Sequence, residues 1–95
     1  MEDIYSVKFS KKAMRDLKKL PWYIVLKLES WVSAVGISGL CSVRKINGYN
    51  DEALKGNRVG QRSIRLNNAY RAIYIIDTDG SIDFIEITEV TKHEY

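Results

Sequence analysis

Gln61-Arg62-Ser63-Ile64-Arg65-Leu66-Asn67-Asn68-Ala69-Tyr70-Arg71-Ala72-Ile73-Tyr74-Ile75-Ile76 is the stretch whose reading decides the fold. Gln61–Leu66 alternates polar and apolar residues, and Tyr70–Ile76 is apolar on both faces apart from Arg71. Asn67-Asn68 between them tolerates positive φ and suits a hairpin turn. The reading is two antiparallel strands, the second of them central in its sheet. Downstream, Asp79-Gly80 marks another turn leading into a third strand, Ser81–Thr88, so the C-terminal half is an antiparallel three-stranded meander.

Working back toward the N-terminus, residues 36–60 hold five glycines and read as loop. Before them, Ile24, Leu28, Trp31 and Val35 recur at helical spacing in a helix over Trp22–Val35, with Pro21 as its first residue and Gly36 as its C-terminal cap. A first helix spans Lys11–Leu20. Ser10 is its N-cap, Phe9 and Met14 are the staple pair, and Ala13, Met14, Leu17 and Leu20 form its apolar stripe. Its other face carries Lys11, Lys12, Arg15, Lys18 and Lys19. Ile4–Phe9 is a short strand. The order is an N-terminal strand, an antiparallel helical hairpin and the meander: an α+β domain with helices packed on the sheet. Trp22 and Trp31 are expected in the core, Tyr5, Tyr23, Tyr49 and Tyr74 in packing roles, and Cys41 as an inert small apolar group.

The chain has 95 residues, which supports one domain across 1–95. No apolar run approaches the ~20 residues a membrane span needs, and Met1-Glu2-Asp3 lacks the basic-then-apolar order of a signal peptide. A single cysteine excludes an internal disulfide and a Cys-rich zinc site. A cytoplasmic protein without metal, cofactor or membrane attachment is expected.

The net charge of +3 hides a strong asymmetry. Residues 41–72 carry seven cations, five of them arginine, against two acids, whereas residues 73–95 carry one lysine against six acids. Clustered arginine suits a polyanion, nucleic acid being the commonest case; the other reading is a solvated basic surface paired with the acidic tail. Arg71 stands out, because a charge within an apolar central strand is costly unless its face opens to solvent or an anion. Its alternative is pairing with a carboxylate such as Glu86 on the neighbouring strand.

The block Leu54-Lys55-Gly56-Asn57-Arg58-Val59-Gly60-Gln61-Arg62-Ser63-Ile64-Arg65-Leu66-Asn67-Asn68-Ala69-Tyr70-Arg71-Ala72-Ile73-Tyr74 resembles the RelE/ParE superfamily of toxin–antitoxin toxins, and within it the HigB branch, whose middle region reads L-K-G-x-R-x-G-Q-x-S-I-R-[LI]-N-x-x-[YW]-R. The strand–helix–helix–meander order matches as well. Glu52-Ala53-Leu54-Lys55 resembles the Glu-x-Leu-Lys segment of YoeB-like toxins, and Lys92-His93-Glu94-Tyr95 resembles the His- and Tyr-containing ends of cleaving members, in an order that matches neither HigB nor YoeB relatives.

The resemblance implies a type II toxin that cleaves mRNA in the ribosomal A site through metal-independent attack by the RNA 2′-hydroxyl, and that is neutralised by a cognate antitoxin. It implies Arg65 and Arg71 as phosphorane-stabilising cations. His93 is the implied general acid, with an ordinary pKa of about 6.5. Tyr95 would stack on a base or assist proton transfer. Glu52 is the candidate base if burial raises its pKa, with a lysine or Tyr95 as alternatives. Lys55, Arg58 and Arg62 would contact RNA. ParE-like gyrase poisoning, or a non-catalytic RNA- or partner-binding role on the same fold, stays open. The geometry carries a test of its own. A two-residue loop at Asn67-Asn68 sets Arg71 opposite Ile64 and on the other face from Arg65, whereas a three-residue loop, Asn67–Ala69, puts both arginines on one face.

Overall fold

A computed structural model describes residues 3–92. The sheet is five-stranded, in the order β1-β5-β4-β3-β2. Its strands are β1 (Val7–Phe9), β2 (Glu52–Ala53), β3 (Arg62–Arg65), β4 (Tyr70–Asp79) and β5 (Ile82–Lys92). The expected meander β3–β4–β5 is its centre, with every meander pairing antiparallel. β1 joins β5 in parallel, a pairing that needs the long intervening connection and that no tight turn could make. The loop expected over 36–60 holds more structure than its glycines suggested: a short helix α3 (Leu40–Val43), two 3₁₀ turns (Asn47–Tyr49 and Gly56–Arg58) and the edge strand β2, paired to β3.

Helix α1 (Lys11–Leu17) begins where expected. The Ser10 hydroxyl accepts the Ala13 N–H at 3.0 Å and donates to the Thr88 carbonyl at 2.8 Å, so one side chain caps α1 and ties it to β5. The helix stops at Leu17 rather than Leu20. Lys18, Lys19 and Leu20 make only i→i−3 bonds, the tightened ending forced by Pro21, which disfavours helical geometry in the residue before it. Asp16 accepts the Val90 N–H at 3.0 Å and fastens α1 to β5 a second time. In the expected stripe Ala13 is fully buried and Leu17 and Leu20 are half-buried, but Met14 is exposed. It rims a groove of about 360 Å³ between α1 and the next helix.

Helix α2 (Trp22–Ser38) uses Pro21 as its N-cap and runs two residues beyond Gly36. The residue that ends it is Gly39, whose N–H donates to the Val35 carbonyl. Gly39 has φ +85°, and a Cβ there would overlap the Asp3 carboxylate, so two independent constraints demand glycine. Asp3 in turn accepts the N–H groups of Cys41 (2.9 Å) and Ile4 (2.8 Å), and the Cys41 bond holds its carboxyl below the ordinary value. Ile24, Leu28, Trp31 and Val35 are all buried, with Trp31 tilted against Tyr74. Trp22, expected in the core, is 73% exposed. Two residues along a helix is a rotation of about 200°, which carries Trp22 to the side opposite Ile24. Cys41 is exposed.

The core lies between the helices and one face of the sheet, lined by Ile64, Leu66, Ala72, Tyr74, Ile85, Ile87 and Val90. A β-bulge makes that lining continuous. Ile73 pairs with Glu89 and Tyr74 with Ile87, so Thr88 is an extra residue that lets both Ile87 and Val90 face the helices. The opposite face carries Glu52, Ser63, Arg65, Arg71 and Ile73. No helix among the described residues is long and apolar enough to cross a membrane.

Candidate functional site

The β3–β4 connection is the three-residue alternative. Arg65 pairs directly with Arg71, and the loop comprises Asn67, Asn68 and Ala69. The reason lies in one side chain. Asn67 Oδ1 accepts the N–H groups of both Ala69 and Tyr70 at 2.8 Å, while the Tyr70 carbonyl takes those of Leu66 and Asn67. That capture widens the loop by one residue and sets the two arginines side by side on the open face.

Here the chain forms a pocket of about 200 Å³ lined by Asn50, Glu52, Ser63, Arg65, Asn67, Asn68, Tyr70 and Arg71. Three of the five residues expected to be catalytic, Glu52, Arg65 and Arg71, therefore share one concavity. Arg65 Nη2 donates to Asn68 Oδ1 at 2.7 Å, which aims the guanidinium along the pocket. Arg71 is half-buried and its Nε is buried without a hydrogen-bond partner. The expected alternative for Arg71 does not occur: Glu86 stands opposite Ile75 and Lys8, whereas Arg71 is flanked by Arg65 and Thr91. Among the described residues neither arginine forms an ion pair. Two guanidinium groups side by side in one cavity make an anion-binding geometry, with planar donors matched to phosphate oxygens.

Glu52 reaches the pocket from β2, where its partner is Ser63. Glu52 is exposed, so the free chain does not provide the burial expected to tune it. Lys92 is the last described residue and pairs with pocket-lining Tyr70. His93 and Tyr95 follow it and lie outside the described residues.

The three expected RNA contacts separate. Lys55 is exposed. Arg58 spans the open face, donating to Gln61 at 2.9 Å and reaching Glu89 at 3.4 Å. Glu89 pairs with Ile73, which is buried on this face. Arg62 stands apart from the pocket, on the helix-facing side. Its Nε pairs with Asp51 at 2.7 Å, and Asp51 also accepts the Tyr74 hydroxyl. Burial alone would lower the Arg62 pKa, but the hydrogen bond and charge of Asp51 more than offset it and raise it. Burial first, and then the Asp51 hydrogen bond, push the Tyr74 hydroxyl up to about 12. Arg62 is thus committed to a carboxylate whose side chain is only 1% exposed.

Asn50, Ser63, Asn67, Asn68 and Tyr70 line the pocket without having been singled out as site residues. Ser63 was legible, since it alternates with Arg65 along one strand face. Asn50 was not, because its position depends on a left-handed conformation (φ 45°) at the end of a 3₁₀ turn.

No protein-family model matches the sequence, and no curated protein does. Solved structures match over nearly the whole chain. YafQ from Escherichia coli superposes with TM-score 0.72 at 14% identity, covering 93% of this chain and 92% of that one. The YoeB dimer from Staphylococcus aureus superposes with TM-score 0.66 at 23% identity, covering 99% and 100%. The toxin–antitoxin complex RelBE2 from Mycobacterium tuberculosis contains a chain that superposes with TM-score 0.59 at 27% identity, covering 95% and 99%. Element order, sheet topology and these superpositions agree with the resemblance in Leu54–Tyr74: the chain has the fold of the RelE/ParE toxin superfamily.

Proposed function

We propose that this chain is the toxin of a type II toxin–antitoxin system, a single cytoplasmic domain over residues 1–95 of HigB-like character. In this reading it cleaves mRNA on the ribosome and is held inactive by a cognate antitoxin. The observation that carries the reading is the cross-strand pair Arg65–Arg71 sharing one pocket with Glu52. The complexes among the similar structures, such as RelBE2, support an antitoxin partner.

The reaction is displacement at one phosphodiester. Glu52 takes the proton of the RNA 2′-hydroxyl, whose oxygen attacks the adjacent phosphorus. Arg65 and Arg71 bind the non-bridging oxygens, on which negative charge grows in the phosphorane. His93 gives a proton to the departing 5′-oxygen. The products are a 2′,3′-cyclic phosphate and a 5′-hydroxyl end, and no metal is needed. Tyr95 stacks on the base beside the cut, while Lys55 and Arg58 hold the backbone. Because Glu52 is exposed in the free chain, ribosome and message supply the enclosure that dries the site.

The test is a purified translation reaction with a defined message and mapping of new 5′ ends. Cuts are expected only in translated RNA. Arg71→Ala is expected to slow them by about 10²–10³-fold, the usual cost of one oxyanion-stabilising donor. Absence of cuts, or cuts indifferent to both Arg65→Ala and Arg71→Ala, refutes the reading. Inhibition of DNA supercoiling in place of cutting would replace it with a gyrase target.

A further inference from the structure

We propose that Asp51 is a positioning residue for Glu52: locked beneath the sheet by Arg62 and Tyr74, it holds the edge strand β2 so that the next side chain faces the pocket. The inference rests on the reading of Glu52 as the base. β2 has two residues, shorter than a strand that ordinarily sustains itself, and both are exposed. Its pairing to β3 supplies little beyond Glu52–Ser63, Ala53–Arg62 and the Leu54 N–H to the Gln61 carbonyl at 2.9 Å. What anchors it is the residue just before. Asp51 sends its carboxylate to the helix side, where Oδ1 accepts Arg62 Nε and Oδ2 accepts the Tyr74 hydroxyl.

Those two donors are themselves cross-strand partners, Arg62 on β3 and Tyr74 on β4. One carboxylate therefore clamps β2 to both neighbouring strands. Tyr74 is fully buried against Trp31, so the clamp is fixed to the core and not to a mobile surface. Alternation does the rest. With Asp51 pinned below, Glu52 points above, toward Ser63 in the pocket.

The clamp is tested in the full-length protein with Asp51→Asn and with Tyr74→Phe, which removes only a hydroxyl and keeps Arg62 in place. Amide hydrogen exchange reads the strand. Leu54 is expected to lose about 10–100-fold protection relative to Ile73, as expected for loss of a charge-assisted bond. Cleavage kinetics read the consequence. Asp51→Asn is expected to lower turnover at saturating ribosomes, with half-saturation unchanged. Combined with Glu52→Gln, it should cost no more than Glu52→Gln alone. Unchanged Leu54 exchange in both variants overturns the proposal. So do unchanged turnover in Asp51→Asn, or a double variant whose losses multiply. A wild-type protein that does not cut translated RNA removes the functional reading instead, and the exchange result then decides whether Asp51 holds β2.

Discussion

Replacing Arg62 by methionine separates a structural cation from a substrate-binding one. The substitution keeps the aliphatic stem and deletes the guanidinium opposite a carboxylate that is 1% exposed, itself on a side chain 27% exposed. Leaving one partner of a buried ion pair behind costs about 3–5 kcal/mol. Two features moderate that here: the Tyr74 hydroxyl still donates to Asp51, and the partly open Arg62 position admits water once vacated. A loss of about 2–3 kcal/mol is therefore expected. For a domain of this length that lowers Tm by about 10–20 °C. The assay is urea unfolding followed by tryptophan fluorescence, with Trp31 against Tyr74 as the reporter. The midpoint should fall by about 1–2 M while the slope stays constant. Adding Asp51→Asn to Arg62→Met should recover part of the loss, because the stranded charge goes with it. A loss below about 0.5 kcal/mol, the value of a surface pair, refutes the argument that the carboxylate is held away from water.

Four further expectations follow from the structure. Gly39→Ala combines a positive φ with overlap of the Asp3 carboxylate and should cost about 2–4 kcal/mol in thermal unfolding. Gly36→Ala, helical and with open space around it, should instead stabilise by about 0.5–1 kcal/mol. Ser10→Ala removes both the α1 cap and the bond to the Thr88 carbonyl, a loss of about 1–2 kcal/mol by chemical denaturation. Because the Tyr74 hydroxyl ionises near 12 in the fold against an ordinary 10.0, the unfolded chain gives up that proton first as pH rises. Stability is complete below pH 10 and declines by about 2–3 kcal/mol toward pH 12. Thermal melts across that window should show this slope in the wild type, with the Tyr74 share absent from Tyr74→Phe.

The parts of the fold legible in the sequence were those set by periodicity. Ile24, Leu28, Trp31 and Val35 face the core as their spacing requires, and the two turns of the meander lie where Asn67-Asn68 and Asp79-Gly80 mark them. Trp22 stands two positions before Ile24, so helix rotation carries it to solvent, and that outcome is itself written in the sequence. The register that unites Arg65 and Arg71 was not legible, because loop length depends on which backbone groups the Asn67 side chain captures. The strand carrying Glu52 was hidden for a different reason. No pattern exists in two residues, and its placement follows from a carboxylate meeting donors 11 and 23 positions away. Arg62, three positions before Arg65, falls on the opposite, helix-facing side by strand alternation alone, and only its long-range partner Asp51 was hidden.

The parallel pairing of Val7–Phe9 with Ile85–Ile87 bears on how the molecule comes into being. Ser10 and Asp16 bond to the same late strand, at Thr88 and Val90. Vectorial synthesis thus delivers the first helix and strand long before their docking partner emerges, and the nascent chain waits with its earliest apolar surface uncovered. Closure comes only after residue 90 clears the translation machinery.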